Sequence, residues 1–117
     1  MRNVFFATVV TATVLGLLAV GARPGNAAGD PAKGKAVYDK YCVACHGVQG
    51  KGDGPAGRML KPPAADLTSA LSTKKPEAEL KQVIENGKPG TAMGPWKGQL
   101  SAAEMNDLMQ YVLSLRK

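Results

Sequence analysis

Three stretches of the chain repeat apolar residues at helical spacing, and segments rich in Gly and Pro separate them. In "GDPAKGKAVYDKYC", Asp30 is placed to cap a helix and Pro31 suits its first position. With Ala36, Val37, Tyr38 and Tyr41 as packing residues, this helix is expected to run to about Cys42. "KPEAELKQVIENG" carries Leu80, Val83 and Ile84 on one stripe, sets Glu77 four residues before Lys81, and stops at Gly87. It predicts a helix over Pro76 to Asn86. "SAAEMNDLMQYVLSLRK" opens on a Ser101-to-Glu104 capping box and repeats Met105, Leu108, Val112 and Leu115. Arg116 and Lys117 follow, cations suited to a helix carboxyl end. Few strand-like runs compete, so the expected class is all-α, with three main helices.

A fourth apolar stretch has another character. Val4 to Val20 is a 17-residue uncharged run behind Met1-Arg2-Asn3, and it exits through the small residues of "ARPGNAAG". Positive start, apolar middle and small-residue exit are the layout of a secretory signal. Residues 1–28 are therefore expected to be a signal peptide, and residues 29–117 one domain. An uncleaved anchor is the rival, because 17 residues lie at the lower edge of what spans a bilayer. The small-residue exit and the lack of a following charge cluster favour cleavage.

Length then constrains the domain. Beyond residue 28 the aromatics are only Tyr38, Tyr41, Trp96 and Tyr111, a thin stock for a core. Domains this small often recruit a disulfide, metal or cofactor to supply buried surface. The loop "GVQGKGDGPAGRMLKPPAADLTSALSTKK" is 29 residues long. A loop of that length in so small a unit needs an object to enclose. Charge adds less. Thirteen Lys and Arg against nine Asp and Glu after residue 28 leave an excess of four, spread along the chain. Nothing resembles the basic block with interleaved aromatics that binds nucleic acid, so no nucleic-acid partner is expected; the excess fits an acidic protein partner or an ordinary solvated surface.

The candidate chemistry is concentrated in "CVACHG", Cys42 to Gly47, which holds both cysteines and the single histidine. A thioredoxin-like redox pair would need strand–helix alternation around it. A structural zinc site would need a fourth ligand. A disulfide across two residues closes a small strained loop, adds little stability and leaves His46 without a role. Covalent haem attachment uses all three side chains: Cys42 and Cys45 as thioethers to the macrocycle, and His46 as an iron ligand. Export agrees with it, and haem would fill the core and give the loops their object.

His46 leaves the second axial position open, and methionine is the remaining donor. Met105 and Met109 read as helix packing. Of the two loop methionines, Met59 in "AGRMLKPP" reads as a hydrophobic contact over the macrocycle. Met93 in "GTAMGPW" has Gly90 and Gly94 to free its backbone, Pro95 to stiffen it and Trp96 to anchor it at the haem edge. Met93 is the expected ligand, and Arg58 the expected partner of a haem propionate.

From "GDPAKGKAVYDKYCVACHG" through "GDGPAG" and "LKPPAADLT" to "GTAMGPW" and "LSAAEMNDLMQYVLSL", the chain resembles the small bacterial single-domain class I c-type cytochromes. The resemblance covers residues 29–117 and implies a class I cytochrome c fold, its long loops wrapped around one covalently attached haem c. It implies that the first and last helices cross, with Gly34, Tyr38, Leu108 and Tyr111 at the contact. It also implies that the Pro55 carbonyl accepts the second ring proton of His46, fixing its tautomer. One departure is that Gly94 separates Met93 from Pro95, where the family usually has proline directly after the methionine. The implied function is a periplasmic one-electron carrier and not an enzyme. Its implied partners are a quinol-oxidising cytochrome bc complex, a terminal oxidase or reductase, or a periplasmic dehydrogenase, with Lys51, Lys88 and Lys97 as candidate rim charges. The rivals are a haem-bearing subunit docked on a dehydrogenase or oxidase, and a peroxidase or gas-sensing cytochrome with a labile sixth ligand. Against peroxide chemistry, the sequence has no second histidine to act on the distal side.

Overall fold

Asp30 caps the first helix as its position predicts, accepting the amides of Ala32 and Lys33, and α1 spans Pro31–Tyr41. The computed structural model describes residues 29–116, so the expected signal peptide lies outside the described residues. After α1 come a single helical turn, α2 (Val43–His46), a 3-10 turn (Gly57–Met59), a short α3 (Ala70–Thr73), α4 (Glu77–Asn86) and α5 (Ala102–Ser114). No strand occurs among the described residues, and the all-α expectation holds. At the start of α5 both halves of the Ser101–Glu104 capping box form. Pro76 caps α4 instead of opening it, and the expected Glu77–Lys81 pair does not form. Lys75, just ahead of the helix, reaches Glu79 at 2.5 Å, and Lys81 turns towards Glu85 at 3.9 Å and the Asn106 side chain at 3.5 Å.

The principal helix contact is α1 against α5. Gly34 sits where the two backbones nearly touch: a Cβ there would run into the Asp107 carbonyl and lie 3.0 Å from the Leu108 amide. The absence of a side chain is what allows the crossing, and Asp107 Oδ1 secures it by accepting the Asp30 amide at 2.7 Å. Fully buried Tyr38 then packs its ring at 5.1 Å from that of Tyr111, tilted by 59°. Around this pair lie Leu67, Leu80, Ile84, Leu100, Met105, Leu108, Met109 and Val112, so the core joins α1, α4 and α5 to the long loop through Leu67. Gly34, Tyr38, Leu108 and Tyr111 all fall at the crossing, as the resemblance implies.

Candidate functional site

Cys42 ends α1 and begins α2, and its carbonyl accepts the amides of Cys45 (3.2 Å) and His46 (2.8 Å). One helical turn therefore carries both thiols and the imidazole. Tyr38 Oη donates to the Gly47 carbonyl at 2.7 Å, which ties the end of that turn to the core. Burial pushes this phenol well above its ordinary range, so it remains a donor at any moderate pH.

The following loop folds back over the turn. The amides of Gly52, Gly54 and Ala56 donate to the carbonyls of His46 (2.8 Å), Cys45 (3.1 Å) and Ala44 (3.0 Å). Gly54 and Gly57 lie against these carbonyls with no space for a Cβ. The partly buried Cys42 thiol is pushed up to about 11 by burial, with the neighbouring Cys45 adding to the shift.

His46 Nδ1 lies 3.0 Å from the Ala65 carbonyl. As donor to that oxygen, Nδ1 is engaged and Nε2 is left for a metal. This corrects the expectation for Pro55. Its two neighbours both donate to the backbone of α2, Pro55 itself is exposed, and the carbonyl that meets Nδ1 is that of Ala65. Ala65 carried no signal in the sequence. A backbone carbonyl can come from any residue, and only the path of the chain brings this one to His46.

On the other side of the site, α4 ends at Gly87 and the chain turns on itself. Lys88 donates its amide to the Met93 carbonyl at 2.9 Å, and the Thr91 hydroxyl donates to the Lys88 carbonyl at 2.7 Å while accepting the Met93 amide at 3.2 Å. Trp96 fastens the exit, with its amide on the Ile84 carbonyl at 3.1 Å and its ring 5.2 Å from that of Tyr41, next to Cys42. Met93 and Trp96 pack against the same apolar cluster as Cys42. Met59 is 83% exposed, whereas Met105 and Met109 are buried between the helices, so Met93 is the half-buried loop methionine. Arg58 is exposed, and the structure does not bring it into the site. Two partly buried thiols, an imidazole fixed through Nδ1 and a half-buried thioether form a donor set that fits haem c.

Comparison with known proteins agrees. Residues 29–112 match the family model described as cytochrome c oxidase, cbb3-type, subunit III. The chain belongs to this family of c-type cytochrome domains. Among individual relatives, cytochrome c-554(547) of Halothiobacillus neapolitanus is 32% identical over 91 residues, covering 76% of this chain and 100% of the relative. A c-type cytochrome designated KustC0563 superposes with a TM-score of 0.62 at 27% identity, over 72% of this chain and 98% of the other. Longer relatives contain the domain as a part. The chain spans 15% of the dihydro-heme d1 dehydrogenase of Pseudomonas aeruginosa, at 37% identity. It spans 28% of the cbb3-type oxidase subunit FixP of Bradyrhizobium diazoefficiens, at 36% identity. This is a small class I c-type cytochrome with one covalently bound haem c, and its chemistry is haem-based electron transfer.

Proposed function

We propose that residues 29–117 form an exported, periplasmic one-electron carrier in which Cys42 and Cys45 hold the haem covalently and His46 Nε2 and Met93 Sδ bind its iron, residues 1–28 being the export signal. The observation that carries this reading is the contrast between the two loop methionines: Met93 lies half-buried against the cluster that includes Cys42, and Met59 stands in solvent. Bound haem c supplies a reversible change of iron oxidation state, at a potential that thioether ligation raises. The chain does the rest. The Ala65 carbonyl orients His46 and strengthens it as a donor, the Thr91 hydroxyl fixes the backbone of Met93, and Trp96 with Tyr41 shields the edge beside Cys42. With His46 and Met93 both engaged, the bound group would exchange electrons and would have no place for a substrate.

The partners consistent with this reading are redox proteins. Exposed Lys51, Lys88 and Lys97 are suited to steer an acidic surface towards the site. A second reading, a haem domain that works docked on an oxidase or dehydrogenase, is favoured by the relatives in which the same domain is one part of a longer chain. No helix among the described residues is long and apolar enough to cross a membrane. The deciding experiment is the visible spectrum of the reduced holoprotein before and after carbon monoxide. An unchanged spectrum is expected, and ready binding would show that Met93 does not hold the iron. Co-purification with a large partner from native membranes would favour the docked subunit over the free carrier.

A further inference from the structure

The segment that enters α1 is held by α5. Gly29 has φ +86°, and a Cβ there would run into the Asn106 carbonyl and lie 2.6 Å from the Asp107 amide. The next residue, Asp30, donates its amide to Asp107 Oδ1 at 2.7 Å, across 77 residues of chain. Bond lengths alone then keep the Gly29 nitrogen within about 5 Å of the Asn106 carbonyl oxygen and about 6.5 Å of Asp107 Oδ1. Asp107 is half-buried and pairs with no cation among the described residues. The other charges at this corner are engaged elsewhere or stand in solvent. Asp30 Oδ1 accepts the amides of Ala32 and Lys33, and Lys33 is exposed. Glu104 accepts the Ser101 amide, and Lys81 of α4 turns to the Asn106 side chain and Glu85.

We infer that the Asn106 carbonyl and the Asp107 carboxylate form a binding site for an ammonium, and that its occupant is the α-ammonium of Gly29 in the processed chain. The inference rests on the reading that residues 1–28 are a removed export signal, and not on haem ligation. When the bond before Gly29 is hydrolysed, the oxygen of water stays with residue 28 as part of a carboxylate, and both its protons pass to the Gly29 nitrogen. No new space is needed, because the ammonium nitrogen is the atom that carried the peptide. A cation then stands beside an unpaired carboxylate and a carbonyl oxygen, where the precursor has a neutral amide, so processing adds a charged tie between the amino terminus and α5. An opposite charge at this range favours the protonated amine and holds its folded pKa above the ordinary value of about 7.7–8.0. The tie is therefore fully present below that ordinary value and is lost as pH rises through the folded one.

The test is made on the holoprotein purified after export, with the parent compared with Asp107→Asn, which keeps an acceptor oxygen for the Asp30 amide. Intact mass should place the amino terminus at Gly29. Any other terminus overturns the inference, and a chain that keeps residues 1–28 overturns the export reading with it. The amine is then titrated through the rate of its acetylation by acetic anhydride across pH, read on the amino-terminal peptide by mass spectrometry. The parental midpoint should lie roughly half a pH unit or more above that of Asp107→Asn, about a threefold difference in proton affinity. Shielding by packing alone would change the rate and leave the midpoint in place, so equal midpoints overturn the inference. The difference in melting temperature between the two proteins should narrow as pH rises past the parental midpoint, and a difference that does not narrow overturns it as well. Should Asp107→Asn yield no holoprotein, the parental midpoint decides alone: a value above the ordinary range of about 7.7–8.0 supports the site, and a value within or below that range overturns it.

Discussion

The two walls of the proposed haem site are built in different ways. The His46 wall is held across sequence distance: three loop amides bond back to α2, Ala65 fixes the imidazole, and Tyr38 fastens Gly47 to the core. The Met93 wall is held mainly by its own neighbours, with Lys88, Thr91 and Met93 bonded to one another and the loop fastened at its exit by Trp96 and Lys97 to the last turn of α4. A wall fixed by many remote contacts opens only when much of the domain opens, whereas a short self-bonded loop can open alone. The Met93 side should therefore yield first under stress.

Removing each proposed ligand tests this asymmetry with the largest effects. His46→Ala should give little or no holoprotein, read by haem staining and the reduced spectrum, because the ligand and the anchor for the Ala65 strap are lost together. Met93→Ala should still carry covalent haem, bind carbon monoxide and show a lowered midpoint potential. Equal loss of holoprotein in both variants would remove the distinction between the walls.

Glycine substitutions come next. A Cβ at Gly54 would meet the Val43 carbonyl at 2.6 Å and press on that of Ala44, so Gly54→Ala should cost about 1–3 kcal/mol and lower the melting temperature of the whole domain. Gly87 has φ +71°, and a Cβ there would lie 2.6 Å from the Met93 carbonyl. With ψ −176° this conformation is nearly closed to residues that carry a Cβ and costs about 1–3 kcal/mol. Gly87→Ala should express that cost locally, as increased carbon monoxide binding with a smaller fall in melting temperature than Gly54→Ala. A reversed ranking in either measurement would contradict local opening of the Met93 loop.

A smaller effect is expected at the joint between the His46 wall and the helix crossing. Tyr38→Phe leaves the ring in place and the Gly47 carbonyl without its 2.7 Å donor. The expected loss is about 1–2 kcal/mol in denaturant unfolding, with the reduced spectrum unchanged. A much larger loss would mean that the ring contact with Tyr111 had been disturbed as well.

The same contrast explains what could be read from the chain. Helix caps and stripes are local codes, and Asp30, the Ser101–Glu104 box and the apolar positions of α5 take the places their spacing predicts. The "CVACHG" turn is also local, one turn with its chemistry in adjacent residues. What the sequence did not disclose depends on where the backbone travels. Ala65 acts through a carbonyl that its identity does not encode. Pro55 and Arg58 were drawn from the stretch just after the attachment motif, but the loop follows α2 there and leaves both in solvent.

The least effect is expected from pH, and it should fall on the wall that otherwise appears stronger. Asp66, between Ala65 and Leu67, accepts both the hydroxyl and the amide of Thr68, at 2.6 and 2.8 Å. Those bonds hold its carboxyl below the ordinary carboxylate value, with Lys51 contributing a smaller share. Because the folded value is depressed, the stabilisation is present above the unfolded pKa of about 3.9 and is lost as pH falls through the folded one. The Met93 loop is closed by the neutral Thr91 hydroxyl, which does not titrate there. Asp66→Asn keeps an acceptor oxygen and removes the charge. Melting curves of parent and variant should differ by a small constant above about pH 5 and converge below about pH 4, while the carbon monoxide response of Met93→Ala should be indifferent to Asp66→Asn. A difference between parent and variant that persists undiminished at the lowest pH would show that the asparagine disturbs the turn itself and that the His46 strap carries no acid-sensitive tie.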